Sequence, residues 1–341
     1  MASPELHSCP AITRYENNPV LTCDAVPYPC TLVFNAGAIK WKGEYVMVFR
    51  NDYNYICRAS FEGTNIGLCR SADGIHWTVE PKPVFDVKDE ELMARFGLPK
   101  GEIKRCYDPR LTVIEDEIYM TFAVDTAHGL RGGIAKTTDF ADWQILSLTV
   151  PDNRNMVLFP EKINGKYVRL ERPMPVYSRG RDRFDMWLSE SPDMIYWGNS
   201  ALVAAVEDFH YTNDKVGPGA PPVKTDKGWL VFTHGVDIDY DRGKNGWEDK
   251  WQKRYCAGMV LLDLNDPRKV LGMYRDPLLA PEADYEAKDG FRTNVIFPTA
   301  AIKEDDGTVK VYYGAADTVI AMATANVDEL VELCLAGGPR E

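Results

Sequence analysis

One pattern occurs five times along this chain of 341 residues: a short apolar run, a polar turn that usually contains glycine, and an aromatic-rich run. Each copy predicts a β-hairpin, because two such runs separated by a turn pair as antiparallel strands. Repetition constrains the fold more than any single element does, since repeated units stack into one architecture. The copies are AIKWKGEYVMVF (38–49), LTVIEDEIYMTF (111–122), FPEKINGKYVRL (159–170), PPVKTDKGWLVF (221–232) and TAAIKEDDGTVKVYY (299–313).

A second pattern follows each hairpin and consists of small residues, a polar turn and often a tryptophan. It predicts the outer strands of each unit. Five units of about four strands, without a long amphipathic helix, predict an all-β, five-bladed β-propeller that forms a single catalytic domain over residues 1–341. A β-sandwich is the alternative, although it does not require five matching units. The second-pattern segments are 67–77, 133–143, 186–197, 258–270 and 321–330.

Charge and cysteine content exclude several classes of protein. The net charge is −12 and the isoelectric point is near 5.0, so neither a nucleic acid nor an anionic membrane is expected as a partner. The eight cysteines lack CxxC spacing, and no signal peptide precedes them, so we expect reduced thiols in a cytoplasmic protein. No acidic cluster stands at ligand spacing with histidine, so we expect no metal and no cofactor.

Polar residues recur where each predicted hairpin begins and ends. In a propeller the innermost strands start near the central channel, so these side chains are expected to converge there. This convergence predicts that the functional site lies in the channel. The positions before the hairpins are Asn35, 107–110, 154–155, Lys215 and Asn294, and those at their ends are 50–52, Asp125, Arg172, His234 and Asp317.

Asp108 stands in CYDPRLTVI (106–114), directly before an apolar strand. That position predicts a carboxyl group aimed into a partly dry channel, where burial can raise its pKa. Such a group can serve as the general acid that cleavage of a glycosidic bond requires. A turn-capping role explains the position equally well.

Cationic and amide side chains from three consecutive repeats predict an anion site. Their guanidinium, ammonium, imidazole and amide groups match the charge and the acceptor-rich rim of phosphate. Each alone would be read as a surface residue, but their equivalent positions in the repeats favour a common site. The residues are Arg154, Asn155, Arg172, Lys215 and His234.

Cations at these positions favour phosphorolysis over hydrolysis. An inverting hydrolase needs a second carboxylate to activate water. Phosphate is already an anionic nucleophile, so the protein needs cations that hold it in line with the anomeric carbon.

Side chains for sugar binding are also present, although tyrosines of propeller strands more often pack blades together. The candidates are Asn35, Arg50, Asp52, Tyr107, Tyr211, Tyr255 and Asp317, and His210 could line the acceptor side or pack a loop.

Nearly the whole chain resembles glycoside hydrolase family 130, the β-mannoside phosphorylases and related mannosidases. The resemblance implies a five-bladed propeller and an inverting reaction that forms α-mannose 1-phosphate. It also implies that Asp108 is the single catalytic carboxylate and acts through a hydroxyl of the bound mannose. The resemblance is carried by FNAGAIKW (34–41), YDPRLT (107–112), NRNMVLFPEKINGKYVRLERP (153–173), KVGPGAPPVKTDKGWLVFTHGV (215–236) and YYGAADTVIAMA (312–323).

The resemblance also assigns residues to each substrate. The phosphate set looks complete, which favours a phosphorylase over a mannosidase. Phosphate-binding positions fall on Arg154, Asn155, Arg172, Lys215 and His234, with Tyr255 nearby, and mannose-binding positions fall on Asn35, Arg50, Asp52 and Asp317.

The segment 237–254 is where we expect the acceptor sugar to be selected. It favours a β-1,2 linkage by its similarity to what is expected of β-1,2-mannobiose enzymes. A β-1,4-linked mannose, glucose or N-acetylglucosamine acceptor is the main alternative, followed by a β-mannosidase and by a non-catalytic sugar-binding propeller. Partners are expected to be a saccharide and phosphate, and the oligomeric state is open, with a homo-oligomer formed through inserted loops compatible with the acidic composition.

Overall fold

A computed structural model describes residues 5–174, 183–242, 247 and 251–340. It contains five antiparallel sheets arranged as blades in a ring. The prediction of an all-β, five-bladed propeller is therefore confirmed, and the β-sandwich is excluded.

The blades follow one another along the chain. Blade 1 contains β2 (Leu32–Trp41), β3 (Glu44–Cys57), β4 (Ser60–Ser71), β5 (Thr78–Val79) and β6 (Phe85–Asp86). Blade 2 contains β7 (Ile103–Ile114), β8 (Glu117–Thr126), β9 (Gly129–Thr137) and β10 (Gln144–Leu148). Blade 3 contains β11 (Asn153–Leu158), β12 (Tyr167–Pro173), β13 (Met186–Ser191) and β14 (Gly198–Ala204).

Blade 4 contains β15 (Lys215–Pro218), β16 (Val223–Lys224), β17 (Trp229–Ile238), β18 (Lys253–Leu262) and β19 (Val270–Leu279). Blade 5 contains β20 (Ile296–Lys303), β21 (Thr308–Ala315) and β22 (Val319–Asn326), together with the N-terminal strand β1 (Ile12–Arg14). The described helices are α1 (Glu90–Ala94), α2 (Asp284–Ala287) and α3 (Val327–Ala336), with 3₁₀ turns at Cys23–Ala25 and Val206–Asp208. Within the described ranges no helix combines the length and apolar character needed to cross a membrane.

The cores lie between neighbouring blades, so a middle strand must be apolar on both faces. Strand β17 shows this directly. Leu230 and Phe232 pack into a core shared with blade 5, whereas Trp229 and Val231 pack into a core shared with blade 3. Successive side chains of a strand point to opposite faces, so a continuous apolar run serves two interfaces at once.

The N-terminus closes the ring. Strand β1 pairs antiparallel with β22, with Ile12 opposite Ala325, and becomes the outermost strand of blade 5. Arg14 fixes this closure, because its Nε and Nη2 donate to the two carboxylate oxygens of fully buried Glu286 at 2.8 and 2.9 Å. The Tyr313 hydroxyl donates to the same carboxylate at 2.9 Å.

Two strand predictions were wrong in detail. In the segment 321–330 the last four residues begin α3, because the Asn326 side chain caps that helix by accepting from the amides of Asp328 and Glu329. The edge of β22 is occupied by β1 instead. In the segment 159–170 the first strand had already ended at Leu158, so only its second run is a strand.

Replacing Arg14 with alanine should lower the free energy of unfolding by about 3 kcal/mol, since the Glu286 carboxylate would be left buried without its cation. Urea denaturation followed by tryptophan fluorescence measures the change. The matched control is Arg70→Ala, which removes partly exposed ion pairs to Glu44 and Glu80 and should have little effect. Equal effects of the two substitutions would contradict the closure role of Arg14.

Candidate active site

A cavity at one end of the central channel collects side chains from all five blades. It holds about 460 Å³ of empty space, including its open mouth. Most of the residues singled out in the sequence therefore meet in one place. The lining residues are Asn35, Arg50, Asp108, Arg154, Asn155, Arg172, Tyr255, Arg292, Val295, Phe297 and Asp317.

Bulges in three innermost strands aim polar side chains at this cavity. Strands β2, β7 and β11 each shift register at an Asn or Asp with left-handed backbone: Asn35 (φ 49°), Asp108 (φ 55°) and Asn155 (φ 57°). Asn and Asp are the residues besides glycine that most readily adopt this conformation. Asp317 (φ 48°) does the same in the turn between β21 and β22. In the sequence, an Asn or Asp at the start of a repeated inner strand thus indicates a side chain that faces the cavity.

The far end of the cavity is closed. The buried Arg110 side chain donates from Nε to the Gly219 carbonyl at 2.8 Å, and its guanidinium lies 5.0 Å from the centre of the Phe297 ring. Gly37 lies so close to blade 2 that a Cβ there would stand 2.7 Å from the Leu111 nitrogen. A separate cavity at the other ends of the inner strands shares no lining residue with the first. The cavity that holds Asp108 is therefore blind, that is, closed at its far end by described residues.

Asp108 is held by two neighbours. Its Oδ1 accepts from Asn35 Nδ2 at 3.0 Å and from Arg50 Nη1 at 3.2 Å. Burial favours a higher pKa, but Arg50 and Arg110, together with the hydrogen bond from Asn35, outweigh it and lower the pKa of Asp108 below its ordinary value. The expectation that burial would raise the pKa of this carboxyl is therefore wrong for the protein alone.

Asp52 and Tyr107 lie behind the cavity wall rather than on it. The Asp52 carboxylate accepts from Arg50 Nη2 at 2.7 Å and from the Thr64 hydroxyl at 2.5 Å. The Tyr107 hydroxyl donates to Asp125 at 2.9 Å, and its ring supports the Arg50 guanidinium at 4.7 Å. Both residues contact Arg50 and can position it, and the sugar contacts that the sequence predicts for them remain predictions.

Arg154 and Arg172 form the cationic side of the cavity. Arg172 is almost fully buried, and within the described ranges its Nε and Nη2 have no hydrogen-bond partner. Arg154 Nε and Asn155 Oδ1 are also buried without a hydrogen-bond partner in the described ranges. Burial, reinforced by repulsion from Arg154, lowers the pKa of Arg172 to about 9. Buried donors are normally satisfied, so this cluster is suited to an anion.

His234 does not line the cavity as a cation. Its Nε2 accepts from Arg172 Nη1 at 2.8 Å, so its Nδ1 carries the proton and donates to the Pro218 carbonyl at 3.1 Å. Burial, with repulsion from Arg172, lowers the pKa of His234 far below its ordinary value. The imidazole is therefore neutral and orients Arg172, and its direct contact with phosphate remains a prediction.

Lys215 lies beside this cluster but is not on the cavity wall. Its ammonium stands 3.0 Å from Asp214 Oδ2 and 4.7 Å from the centre of the Phe184 ring. Burial, together with Arg172 and Lys253, lowers its pKa. Lys253, which the sequence did not single out, stands 3.4 Å from the same Asp214 oxygen. Direct contact of Lys215 with phosphate remains a prediction.

The opposite wall carries Asp317 and Arg292. Arg292 Nη1 stands 3.3 Å from Asp317 Oδ2. Burial raises the pKa of Asp317, although Arg292 and Arg50 oppose the shift. Sequence reasoning missed Arg292, because it lies in the segment before β20 and has no equivalent in the other repeats. Two further sugar candidates lie elsewhere: Tyr211 is buried beside Phe209 in a core, and His210 pairs with Asp276 on the surface.

Within the described part of the chain, no three His, Cys, Asp or Glu side chains group as a metal site. The cavity combines a carboxyl group that can exchange a proton with buried guanidinium donors. This combination on a propeller is expected of an enzyme that cleaves a glycosidic bond with an anionic nucleophile, a glycoside phosphorylase.

Comparison with known proteins agrees with this class. The sequence profile of glycoside hydrolase family 130, described as beta-1,4-mannooligosaccharide phosphorylase, matches residues 9–336. The chain therefore belongs to glycoside hydrolase family 130. Within that family it is a glycoside phosphorylase.

Two curated relatives and one solved structure show the range of activities. A beta-1,4-mannooligosaccharide phosphorylase of Ruminococcus albus is 36% identical over 94% of this chain and 90% of its own. A beta-1,2-mannobiose phosphorylase of Listeria innocua serovar 6a is 30% identical over 94% of this chain and 97% of its own. A crystal structure of the beta-1,2-mannobiose phosphorylase from Listeria innocua in complex with beta-1,2-mannobiose superposes with a TM-score of 0.79 at 27% identity, covering 95% of this chain and 99% of that chain.

Replacing His234 with phenylalanine should raise the KM for phosphate about tenfold or more, because Arg172 would lose the acceptor that orients it. The KM for the saccharide should change much less. Steady-state kinetics with each substrate varied separately make the comparison. The control is His234→Gln, whose amide oxygen can still accept from Arg172 and should restore much of the affinity. An equal rise of the KM for phosphate and the KM for the saccharide would show that His234 serves only packing.

Proposed function

We propose that this chain is an inverting β-mannoside phosphorylase that transfers the terminal mannosyl unit of its substrate to phosphate and releases α-mannose 1-phosphate. One observation carries the proposal: Asp108 and the unsatisfied donors of Arg154 and Arg172 line the same cavity.

The electrostatics of the cavity support an anionic co-substrate. Two buried guanidinium groups repel each other, and burial lowers the pKa of Arg172. A phosphate dianion bound between Arg154 and Arg172 would offset both costs and accept from the unsatisfied Nε and Nη2 atoms. Water, the nucleophile of a hydrolase, carries no charge and would not offset the repulsion between the two guanidinium groups.

The shape of the cavity supports attack at a chain end. Since Arg110 and Gly37 close the channel, a saccharide cannot thread through it, and only its terminal unit can enter. Asn35, Arg50 and Asp317 would bind the hydroxyl groups of that unit, as the resemblance to the family implied. We infer an exo-acting enzyme that shortens its substrate one mannosyl unit at a time.

The chemical step needs one proton. A phosphate oxygen forms a bond to the anomeric carbon from the side of Arg154 and Arg172 while the glycosidic bond breaks on the opposite face. The departing oxygen takes the proton of Asp108, relayed through a hydroxyl of the bound mannose. Inversion follows, because the β-linked oxygen leaves as phosphate arrives from the α face. Asp125 would act indirectly, by holding the Tyr107 ring that supports Arg50.

Two linkages are candidates, each favoured by a specific observation. The 36% identity to the Ruminococcus albus enzyme favours a β-1,4 linkage. The superposition on the Listeria innocua complex favours a β-1,2 linkage, as does the sequence of the segment 237–254, of which residues 243–246 and 248–250 lie outside the described residues.

Release of mannose 1-phosphate from β-1,2- and β-1,4-mannobiose, assayed with and without millimolar phosphate, tests the proposal. Phosphate-dependent release from one disaccharide is expected and identifies the linkage. Free mannose formed at the same rate without phosphate would overturn the proposal in favour of a mannosidase.

Replacing Asp108 with asparagine should lower kcat about 10²- to 10⁴-fold, because the amide cannot supply the proton. The thermal unfolding midpoint and phosphate binding should be retained. Asp193→Asn, which alters an exposed turn of blade 3, is the control and should keep full activity. An Asp108→Asn enzyme with undiminished turnover would remove the acid from this position.

Phosphate binding should raise the pKa of Asp108. Arg50, Arg110 and Arg154 hold that pKa down in the protein alone, and a bound dianion would neutralise part of this field. The protonated fraction at a given pH should therefore increase when phosphate is added. Carbon-13 NMR titration of the Asp108 carboxyl, assigned by its loss in Asp108→Asn, makes the comparison between phosphate and chloride buffers. A pKa that is unchanged or lower in phosphate would contradict the coupling.

A further inference from the structure

Four aromatic side chains pack against one another beyond the cavity, and we call them the aromatic wall: Tyr55, Phe61, Trp247 and Phe291. Each contacts two of the others edge to face. The ring centres lie 5.5 Å apart for Tyr55 and Phe61, and 5.1 Å apart for Tyr55 and Trp247. They lie 5.6 Å apart for Trp247 and Phe291, and 5.4 Å apart for Phe61 and Phe291. The wall is thus one continuous cluster built from the β3–β4 hairpin, the connection between β17 and β18, and the segment before β20.

The wall begins where the cavity ends. Arg292, a lining residue of the cavity, follows Phe291 directly, and its guanidinium lies 5.1 Å from the centre of the Phe291 ring. The same guanidinium lies 4.7 Å from the ring of Trp251, which stacks nearly parallel on the cavity residue Tyr255. A ligand that leaves the cavity past Arg292 therefore meets aromatic surface next.

The hairpin of β3 and β4 carries part of the wall outward. Pairing with β2 ends at Asp52, but β3 continues and pairs with β4 alone as far as Cys57. Tyr55 is five residues beyond Arg50, which corresponds to about 17 Å along an extended strand. The wall consequently extends past the position of the terminal sugar unit.

Two rings of the wall, Tyr55 and Trp247, are exposed, whereas Phe291 is buried and anchors them. Tyr55 is 40% exposed and Trp247 is 41% exposed, and Ile56 beside them is 62% exposed. Clustered exposed apolar side chains mark binding surfaces. Tyrosine and tryptophan are rigid and pair an apolar face with a polar group, which suits the apolar faces and hydroxyl edges of pyranose rings.

We infer that the aromatic wall binds the sugar units of an oligosaccharide substrate that lie beyond the first two, and so gives this chain a preference for longer substrates. The inference rests on the proposed function, since it requires the terminal unit to occupy the blind cavity. The occupant is the remainder of the same saccharide chain, because the wall continues directly from the cavity through Arg292.

The test compares chain lengths. Trp247→Ala and Tyr55→Ala should lower kcat/KM for the mannotetraose of the preferred linkage about five- to tenfold. Both should leave kcat/KM for the mannobiose within about twofold and the KM for phosphate unchanged. Trp247→Phe should keep much of the preference. The matched control is Tyr196→Ala, since Tyr196 is 73% exposed on a blade 3 turn and should affect no substrate.

Two outcomes would overturn the inference. Equal effects on mannobiose and mannotetraose, including no effect on either, would show that the wall does not contact the longer substrate. A dimer in sedimentation equilibrium that becomes a monomer on Trp247→Ala, without a change in the ratio of the two kcat/KM values, would make the wall a subunit interface.

Failure of the proposed function would look different. If the wild-type enzyme forms free mannose, phosphorolysis fails, but the ratio of the two kcat/KM values still tests the wall. If it turns over neither substrate, calorimetric titration of mannotetraose into wild-type and Trp247→Ala protein tests the wall by binding alone. Weaker binding by the variant supports the wall, and equal or undetectable binding overturns it.

Discussion

Closure of the ring by β1 is the constraint on which the rest of the structure depends. Every blade buries both faces against its neighbours, as the alternation of Trp229, Leu230, Val231 and Phe232 shows. A gap in the ring would expose two such faces at once. The pairing of β1 with β22 and the ion pair of Arg14 with Glu286 prevent this. Because α2 carries Glu286 and leads into the segment that bears Arg292, the closure also fixes one wall of the cavity.

The ring brings five inner strands together, and bulges then decide what faces the channel. Left-handed Asn35, Asp108 and Asn155 take polar side chains out of the ladder, and Arg110 closes the channel beneath them. A second layer then sets the charges. Buried Asp52 and neutral His234 do not line the cavity themselves, yet they orient two arginines that do, Arg50 and Arg172. The geometry of the cavity thus depends on residues outside it.

Repetition made the blades and much of the cavity predictable. Asp108, Arg154 and Arg172 were found because they begin or end repeated hairpins. The repeats could not show which polar side chain at a strand end lines the cavity. Arg50 and Asp52 both stand at the end of the first hairpin, but Arg50 lines the cavity and Asp52 lies behind it. They also could not indicate Arg292, which lies between repeats, or the outer strand of blade 5, which comes from the other end of the chain. The direction of the Asp108 pKa shift could not be predicted from the sequence, because it depends on how many cations lie near the carboxyl group in three dimensions.

Phosphorus-31 NMR of the enzyme with inorganic phosphate and the preferred β-mannobiose is the most direct test of inverting phosphorolysis, because it follows both the co-substrate and the configuration of the product. The phosphate signal should fall in equal measure as a single signal of α-mannose 1-phosphate rises. A constant phosphate signal while mannose accumulates, or formation of the β-anomer, would contradict inverting phosphorolysis.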